Sequence, residues 1–167
     1  MHIAFVEHSQ LETLIDLMHE MCVSYSQESP VARDDVRSNL LDNLLAPGSP
    51  VRLVVATAAD GSIVGLAAIA LLHSLVDPAP QRRAQMLLKE LYVRPSHRRQ
   101  GTGRALMAWV ARHALERGCA RIDWHVAASN RPGLAFYRAL GALHVAGRLS
   151  LRLGGEYLAR LAGDDDD

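Results

Sequence analysis

Hydrophobic positions change period along the chain, and each change marks an element. Residues 3–6 alternate as a short first strand. From Ser9 or Gln10 onward Leu11, Leu14, Ile15, Leu17, Met18, Met21 and Cys22 recur at helical spacing, which predicts a helix with one buried face. Residues 24–30 are a polar break. Residues 33–45 form a second helix, with Asp34 and Asp35 at the end where a helix favours negative charge, and Ala46-Pro47-Gly48-Ser49-Pro50 closes it. Residues 51–57 and 62–72 are apolar runs flanking Ala59-Asp60-Gly61-Ser62, a hairpin signal that makes them antiparallel strands.

Residues 73–84 read as a polar, Pro-rich loop leading into a strand through Leu91, Tyr92 and Val93. Pro95 stops that strand, because it has no N–H for a ladder. Beyond Gly103 the period is helical again: Leu106, Met107, Val110 and Ala114 form a buried stripe. Arg104, Ala108, Arg112 and Glu116 lie opposite, and Gly118 supplies the C-cap. Ile122, Trp124 and Val126 alternate with Arg121, Asp123 and His125 as a half-buried strand. A short helix begins at Asn130-Arg131-Pro132 and runs to Leu140, with Gly141 just past its end. A last strand over 142–153 and one or two helical turns over 156–162 complete the pattern. There is no internal repeat, so residues 1–163 are expected to be one domain. The like-charged residues 164–167 form an acidic tail expected to be disordered.

Composition narrows the function classes. The chain has 167 residues, enough for one substantial core, and its 18 Lys plus Arg balance its 18 Asp plus Glu. No overall field attracts nucleic acid or an anionic membrane. No apolar run approaches the ~20 residues of a membrane span. The N-terminus lacks a basic segment followed by an apolar signal core, so a cytoplasmic protein is expected. Cys22 and Cys119 are not a Cys-x-x-Cys pair, and both are expected to be free thiols. No His, Cys and carboxylate set has metal-ligand spacing, so no metal is expected.

The stretch with the most chemical content is Arg98-Arg99-Gln100-Gly101-Thr102-Gly103-Arg104, between a strand and a helix. Two glycines there allow close backbone approach, and the first N–H groups of the helix lack intrahelical partners, so the turn attracts anions. It is not a P-loop, having no Gly-Lys-Ser/Thr, and not Gly-x-Gly-x-x-Gly, because position 106 is leucine. Arg-x-x-Gly-x-Gly directly after Val-x-Pro resembles the acetyl-CoA motif of the GNAT superfamily of N-acetyltransferases. A second stretch, from Asn130 through Ala135, Phe136 and Tyr137 to Gly141, resembles that superfamily's Asn-x-x-Ala-x-x-Phe-Tyr-x-x-Leu-Gly-Phe signature. It has one extra residue after Asn130, and Ala142 replaces the aromatic. The predicted order β-α-α-β-β-β-α-β-α-β is that of the GNAT fold: α/β, with a mixed, mostly antiparallel central sheet flanked by helices.

The resemblance implies acetyl-CoA as co-substrate and direct transfer of its acetyl group to a primary amine. The backbone of Leu91, Tyr92 and Val93 would bond pantetheine, and one N–H near Leu91 or Tyr92 would polarise the thioester carbonyl. The amides of Arg98, Arg99, Gln100, Gly101, Thr102, Gly103 and Arg104 would take the pyrophosphate, and Asn130 and Tyr137 would also belong to the cofactor-binding set. Transfer also needs a base for the ammonium proton and an acid for the departing thiolate. Tyr137 matches the family's acid, its pKa lying near that of a thiol. Glu90, at the start of the cofactor strand, matches a carboxylate that is the base in several members, while others use water chains. His73 and His125 are alternatives facing the acceptor cleft, and His97 packs beside the turn. Residues 151–162 resemble the terminus of the diamine and polyamine branch, which favours a small free amine acceptor. Acetylation of a protein N-terminus or lysine is the second reading, and a non-catalytic acyl-CoA sensor is the third. A homodimer, common in this superfamily, would use the last strand or the terminal segment.

Overall fold

The computed structural model describes residues 1–25 and 30–163; most of the predicted polar break and the acidic tail lie outside them. Two compact units divide the chain, Met1–Ala127 and Ala128–Asp167. The first contains β1 (His2–Phe5), α1 (Leu11–Tyr25), α2 (Arg33–Asn39), β2 (Val51–Thr57), β3 (Ile63–His73), β4 (Ala84–Val93), α3 (Thr102–Glu116) and β5 (Cys119–Asp123). The second contains α4 (Arg131–Ala139) and α5 (Glu156–Gly163).

In the first unit the five strands stand in sequence order, with β1 to β4 antiparallel and β5 parallel to β4. One face is covered by α1 and α2. There Leu14, Ile15, Leu17, Met18, Val36 and Leu40 join Leu53, Val55, Leu66 and Tyr92 in one buried cluster. Helix α3 covers the other face through Leu106, Met107, Val110 and Ala114, the stripe its sequence period predicts. Burying each large aliphatic side chain stabilises the unit by about 1.5–3 kcal/mol relative to exposure. A carboxylate clasp joins α1 to α2 on the surface: Glu12 accepts from Arg33 (3.0 Å) and Arg37 (2.5 and 2.8 Å).

Four departures from the expected elements are seen. Helix α2 ends at Asn39 and continues over Leu40–Leu44 as a π-helical turn, closed by Leu45 N–H donating to the Leu40 carbonyl (2.9 Å). Strand β4 is ten residues long, so Glu90 lies well inside it rather than at its start. Its apolar alternation is interrupted at Lys89, which is why the sequence showed only its last residues. Residues 142–153 are not a strand: no ladder of the sheet includes them, and Leu149 and Leu151 are 88 % and 89 % exposed. Alternation is a local signal, whereas a strand exists only with a partner for its backbone groups. Strand β5 also stops at Asp123, short of Trp124 and Val126.

Candidate active site

Strand β4 carries the site's geometry. It pairs with β3 along its whole length, from His73 opposite Ala84 to Gly65 opposite Val93. On its other side β5 pairs only from Ala84 to Leu87, where Asp123 ends the ladder. Residues 88–93 therefore have a sheet neighbour on one side alone. The backbone of Leu91, Tyr92 and Val93 lies along that opening, at the mouth of the turn leading to α3.

A bulge sets which side chains face which helix. Ala68 stands opposite Glu90 and Ile69 opposite Leu88, so Lys89 is an extra residue with no counterpart on β3. Leu88 is thereby buried on the α3 side with Ile69, while Glu90 and Tyr92 turn to the α1 side with Ala68 and Leu66. In an uninterrupted strand Leu88 and Glu90 would share a face.

Glu90 is half-buried beside the last turn of α1. Its Oε1 accepts from the Tyr25 hydroxyl (3.3 Å) and from the Leu91 backbone N–H (3.3 Å). Burial pushes its carboxyl above the ordinary value, and those two donors pull it partly back. Both donors are neutral. Glu20, by contrast, has a cation: its Oε2 pairs with Arg94 (3.2 Å), and its Oε1 accepts from the Tyr92 hydroxyl (3.0 Å). Arg94 is itself held by the Ile63 carbonyl (3.0 Å), and the Arg98 guanidinium lies over the Tyr92 ring, 5.6 Å from its centroid. Sequence reasoning missed Tyr25, Glu20 and Arg94. A signal for Tyr25 was present, since it continues the stripe of Leu14, Met18 and Met21 at spacings of four, three and four residues.

The anion turn is built from strained backbone. Arg99 has φ of 59° and Gly101, the N-cap of α3, has φ of 85°. Left-handed residues of this kind can direct successive N–H groups to one side, the backbone geometry of concave anion sites. Arg98 braces the turn by donating to the Val93 carbonyl (2.9 Å), and Gln100 by donating to that of Ser96 (2.8 Å). The first bond closing the helix is Ala105 N–H to the Gly101 carbonyl (2.9 Å), which leaves Thr102, Gly103 and Arg104 at the orphan positions. Thr102 is buried against the sheet beneath Gly65, while Arg104 is exposed. This donor set, at the positive end of a fifteen-residue helix, fits a diphosphate.

In the second unit, Asn130 caps α4: its Oδ1 accepts from Gly133 N–H (2.9 Å). Gly133 is required there, because a Cβ would stand 2.6 Å from Asn130 Nδ2. Tyr137 is half-buried on α4, its ring edge-on to Phe136 (5.1 Å). Gly141 ends the helix with φ of 90°. His73 lies at the far end of β3 from the turn and is exposed, as is His125, so neither joins the Glu90 cluster. His97 is half-buried in the turn before Arg98 and bonds the Ser96 hydroxyl (3.0 Å). Cys22 and Cys119 are free thiols.

The family model described as acetyltransferase (GNAT) family matches residues 14–142. The chain belongs to this family. It is 35% identical over 79 residues to the thialysine N-epsilon-acetyltransferase of Bos taurus, covering 46% of each chain. It is 32% identical over 108 residues to the streptothricin acetyltransferase of Streptomyces lavendulae, covering 65% of this chain and 53% of that protein. The chain thus spans about half the length of these curated relatives. Among solved structures, an integron cassette protein from the mobile metagenome of V. cholerae superposes with a TM-score of 0.86 at 26% identity, covering 97% of both chains. The fold expected from the acetyltransferase resemblance is therefore present, less its last strand. No described helix is long and apolar enough to cross a membrane.

Proposed function

We propose that this GNAT-family chain is an N-acetyltransferase that moves the acetyl group of acetyl-CoA directly to the primary amine of a small molecule. The observation that carries the proposal is Glu90. It is a half-buried carboxylate on the open side of β4, with only neutral donors on Oε1, in the strand leading straight to the α3 anion turn. Its raised pKa brings a base closer to the operating pH, where proton transfer is most effective.

Acetyl-CoA supplies the activated acyl group as a thioester. The amides of residues 98–104 receive its diphosphate, and the open backbone of Leu91, Tyr92 and Val93 receives its pantetheine arm. Glu90 takes the proton of the acceptor ammonium, directly or through water, and the freed amine attacks the thioester carbon. As the carbon–sulfur bond breaks, Tyr137 donates a proton to the departing thiolate and is reprotonated from solvent. The nitrogen's second proton leaves to solvent as the amide forms and Glu90 gives its proton back to solvent, so that, with one proton taken up by Tyr137, the net products are an amide, free CoA and one proton. The role of Tyr137 rests on the match to the family signature, and Asn130 supports it by fixing the start of α4.

The relatives named for thialysine and streptothricin support a small, amine-bearing acceptor. Because the family model runs from residue 14 to 142, across Ala127, we read residues 1–163 as one functional domain. Use of acetyl-CoA supports a cytoplasmic setting. The strand-patterned residues 149–153 and Tyr157, Leu158 and Leu161 of α5, all exposed, support a homodimer, which sedimentation velocity tests.

The deciding experiment measures CoA release with a thiol reagent, using acetyl-CoA and pooled amines that include thialysine. Wild type is expected to turn over with one pool, Glu90→Gln and Tyr137→Phe to lose about 10²-fold or more in kcat, and both variants to keep acetyl-CoA affinity. Tight acetyl-CoA binding without turnover on any pool would refute the proposal.

A further inference from the structure

Helix α1 ends on the side chain that touches the base. Tyr25 is the last residue of α1, and its hydroxyl reaches Glu90 Oε1 across 65 residues of sequence. Its ring stands edge-on to that of Tyr92, centroids 6.3 Å apart, at an interplanar angle of 89°. Tyr92 is in turn fixed by its own hydroxyl on Glu20 and by the Arg98 guanidinium over its face. The tyrosine is thus braced by packing on one side while 58% of its surface remains exposed. A braced phenol restricts the rotamers of the carboxylate it bonds.

We infer that Tyr25 is the positioning residue of the base: together with the Leu91 amide it pins Oε1 of Glu90, turning Oε2 toward the acceptor amine. This rests on the reading of Glu90 as base. Neither donor bonds Oε2, so the oxygen presented to the acceptor is the one whose lone pairs these two bonds leave alone. Tyr25 acts only as a donor there. Its own pKa is pushed up to about 12, first by burial and then by the adjacent Glu90 charge, so it keeps its proton throughout the working range.

Among the described residues, the ionisable groups around Glu90 and Tyr25 come from two elements. From α1 these are Tyr25 and Cys22, with Glu20 one turn behind. From β4 and the turn after it come Tyr92, Arg94 and Arg98, with Arg94 committed to Glu20. Cys22 stays a thiol, its pKa raised by burial and by the Glu90 charge. Of these, Tyr25 is the one whose hydrogen bond, together with that of the Leu91 amide, lowers the Glu90 pKa against the burial that raises it. Removing that bond therefore raises the Glu90 pKa. A base works only when deprotonated, so the acid limb of the rate profile must move to higher pH.

The test compares wild type, Tyr25→Phe and Glu90→Gln. The Glu90 side-chain carboxyl is titrated by carbon-13 NMR, its resonance assigned by its loss in Glu90→Gln. In parallel, kcat and KM are followed against pH with acetyl-CoA and thialysine. For Tyr25→Phe the expected result is an upward shift of the Glu90 midpoint, the same shift in the acid limb, and about a tenfold fall in plateau kcat at unchanged acetyl-CoA KM. That fall corresponds to about 1.4 kcal/mol. An unchanged thermal midpoint shows that the fold is intact. A Glu90 midpoint identical in Tyr25→Phe and wild type overturns the positioning role, and the titration reads this whether or not thialysine is the acceptor. Persistence of the acid limb in Glu90→Gln overturns the base reading instead.

Discussion

Replacing Gly65 by alanine tests how closely helix α3 lies on the sheet, and so what holds the anion turn in place. Gly65 sits opposite Val93, the last residue of β4, on the face covered by α3. A Cβ there would meet Leu106 Cδ1 at 3.0 Å, Thr102 Cγ2 at 3.3 Å and the Tyr92 carbonyl oxygen at 3.3 Å. All three distances are below ordinary van der Waals contact. The Tyr92 oxygen belongs to the ladder and cannot retreat, so the strain passes to Thr102 and Leu106 in the first two turns of α3. Overpacking of this kind costs about 1–3 kcal/mol. Losing glycine's freedom in the unfolded chain returns about 0.4–1 kcal/mol. The net destabilisation is about 1–2 kcal/mol, or a Tm about 2–8 °C lower for a chain of this size. Because Thr102 opens the helix whose amides we propose to receive the diphosphate, the acetyl-CoA Kd should also rise about three- to tenfold, or about 0.7–1.4 kcal/mol. Thermal melts and titration calorimetry read the two effects separately. Gly154→Ala, with no atom within 4 Å of its Cβ, is the silent control. If Gly65→Ala matches wild type in both Tm and Kd, the close approach of α3 does not position the turn.

Gly101→Ala forces a left-handed backbone on a residue with a Cβ, at about 1–2 kcal/mol, and calorimetry should show weaker acetyl-CoA binding with kcat retained at saturation. Asn130→Ala removes the α4 cap and should cost about 1 kcal/mol locally, seen as faster hydrogen exchange at the Gly133 amide. Glu12→Gln breaks the clasp between α1 and α2 and should lower Tm slightly at neutral pH. Hydrogen bonds from Arg37 and then Arg33 hold the Glu12 pKa down at about 2, from a usual 4.5. The clasp therefore contributes fully above about 4.5 and is lost as pH falls toward 2, so the two proteins should converge in melts at low pH.

Legibility followed the range of each signal. Helix α3 and its turn were readable because both are local: a 3.6-residue period beside glycines whose positive φ the structure requires. Strand β4 was read only at its end, since the Lys89 bulge breaks the two-residue period in mid-strand. The same bulge hid the half-buried setting of Glu90. The Tyr25 to Glu90 bond joins residues 65 apart, and no spacing rule reaches that far. Residues 149–153 show the converse error: their leucines alternate as strand residues do, but the ladder that would use the alternation is absent from the sheet.

The bulge also bears on how such a strand could shorten over evolutionary time. Removing Lys89 alone would restore the pleat and leave Leu88 and Glu90 adjacent, still on opposite faces and still opposite Ile69 and Ala68. Removing a paired neighbour such as Leu91 would instead put Glu90 and Tyr92 on opposite faces, while leaving the anion turn's own sequence untouched. Among single-codon deletions in β4, the one at the bulge is therefore the one that the strand's two faces absorb.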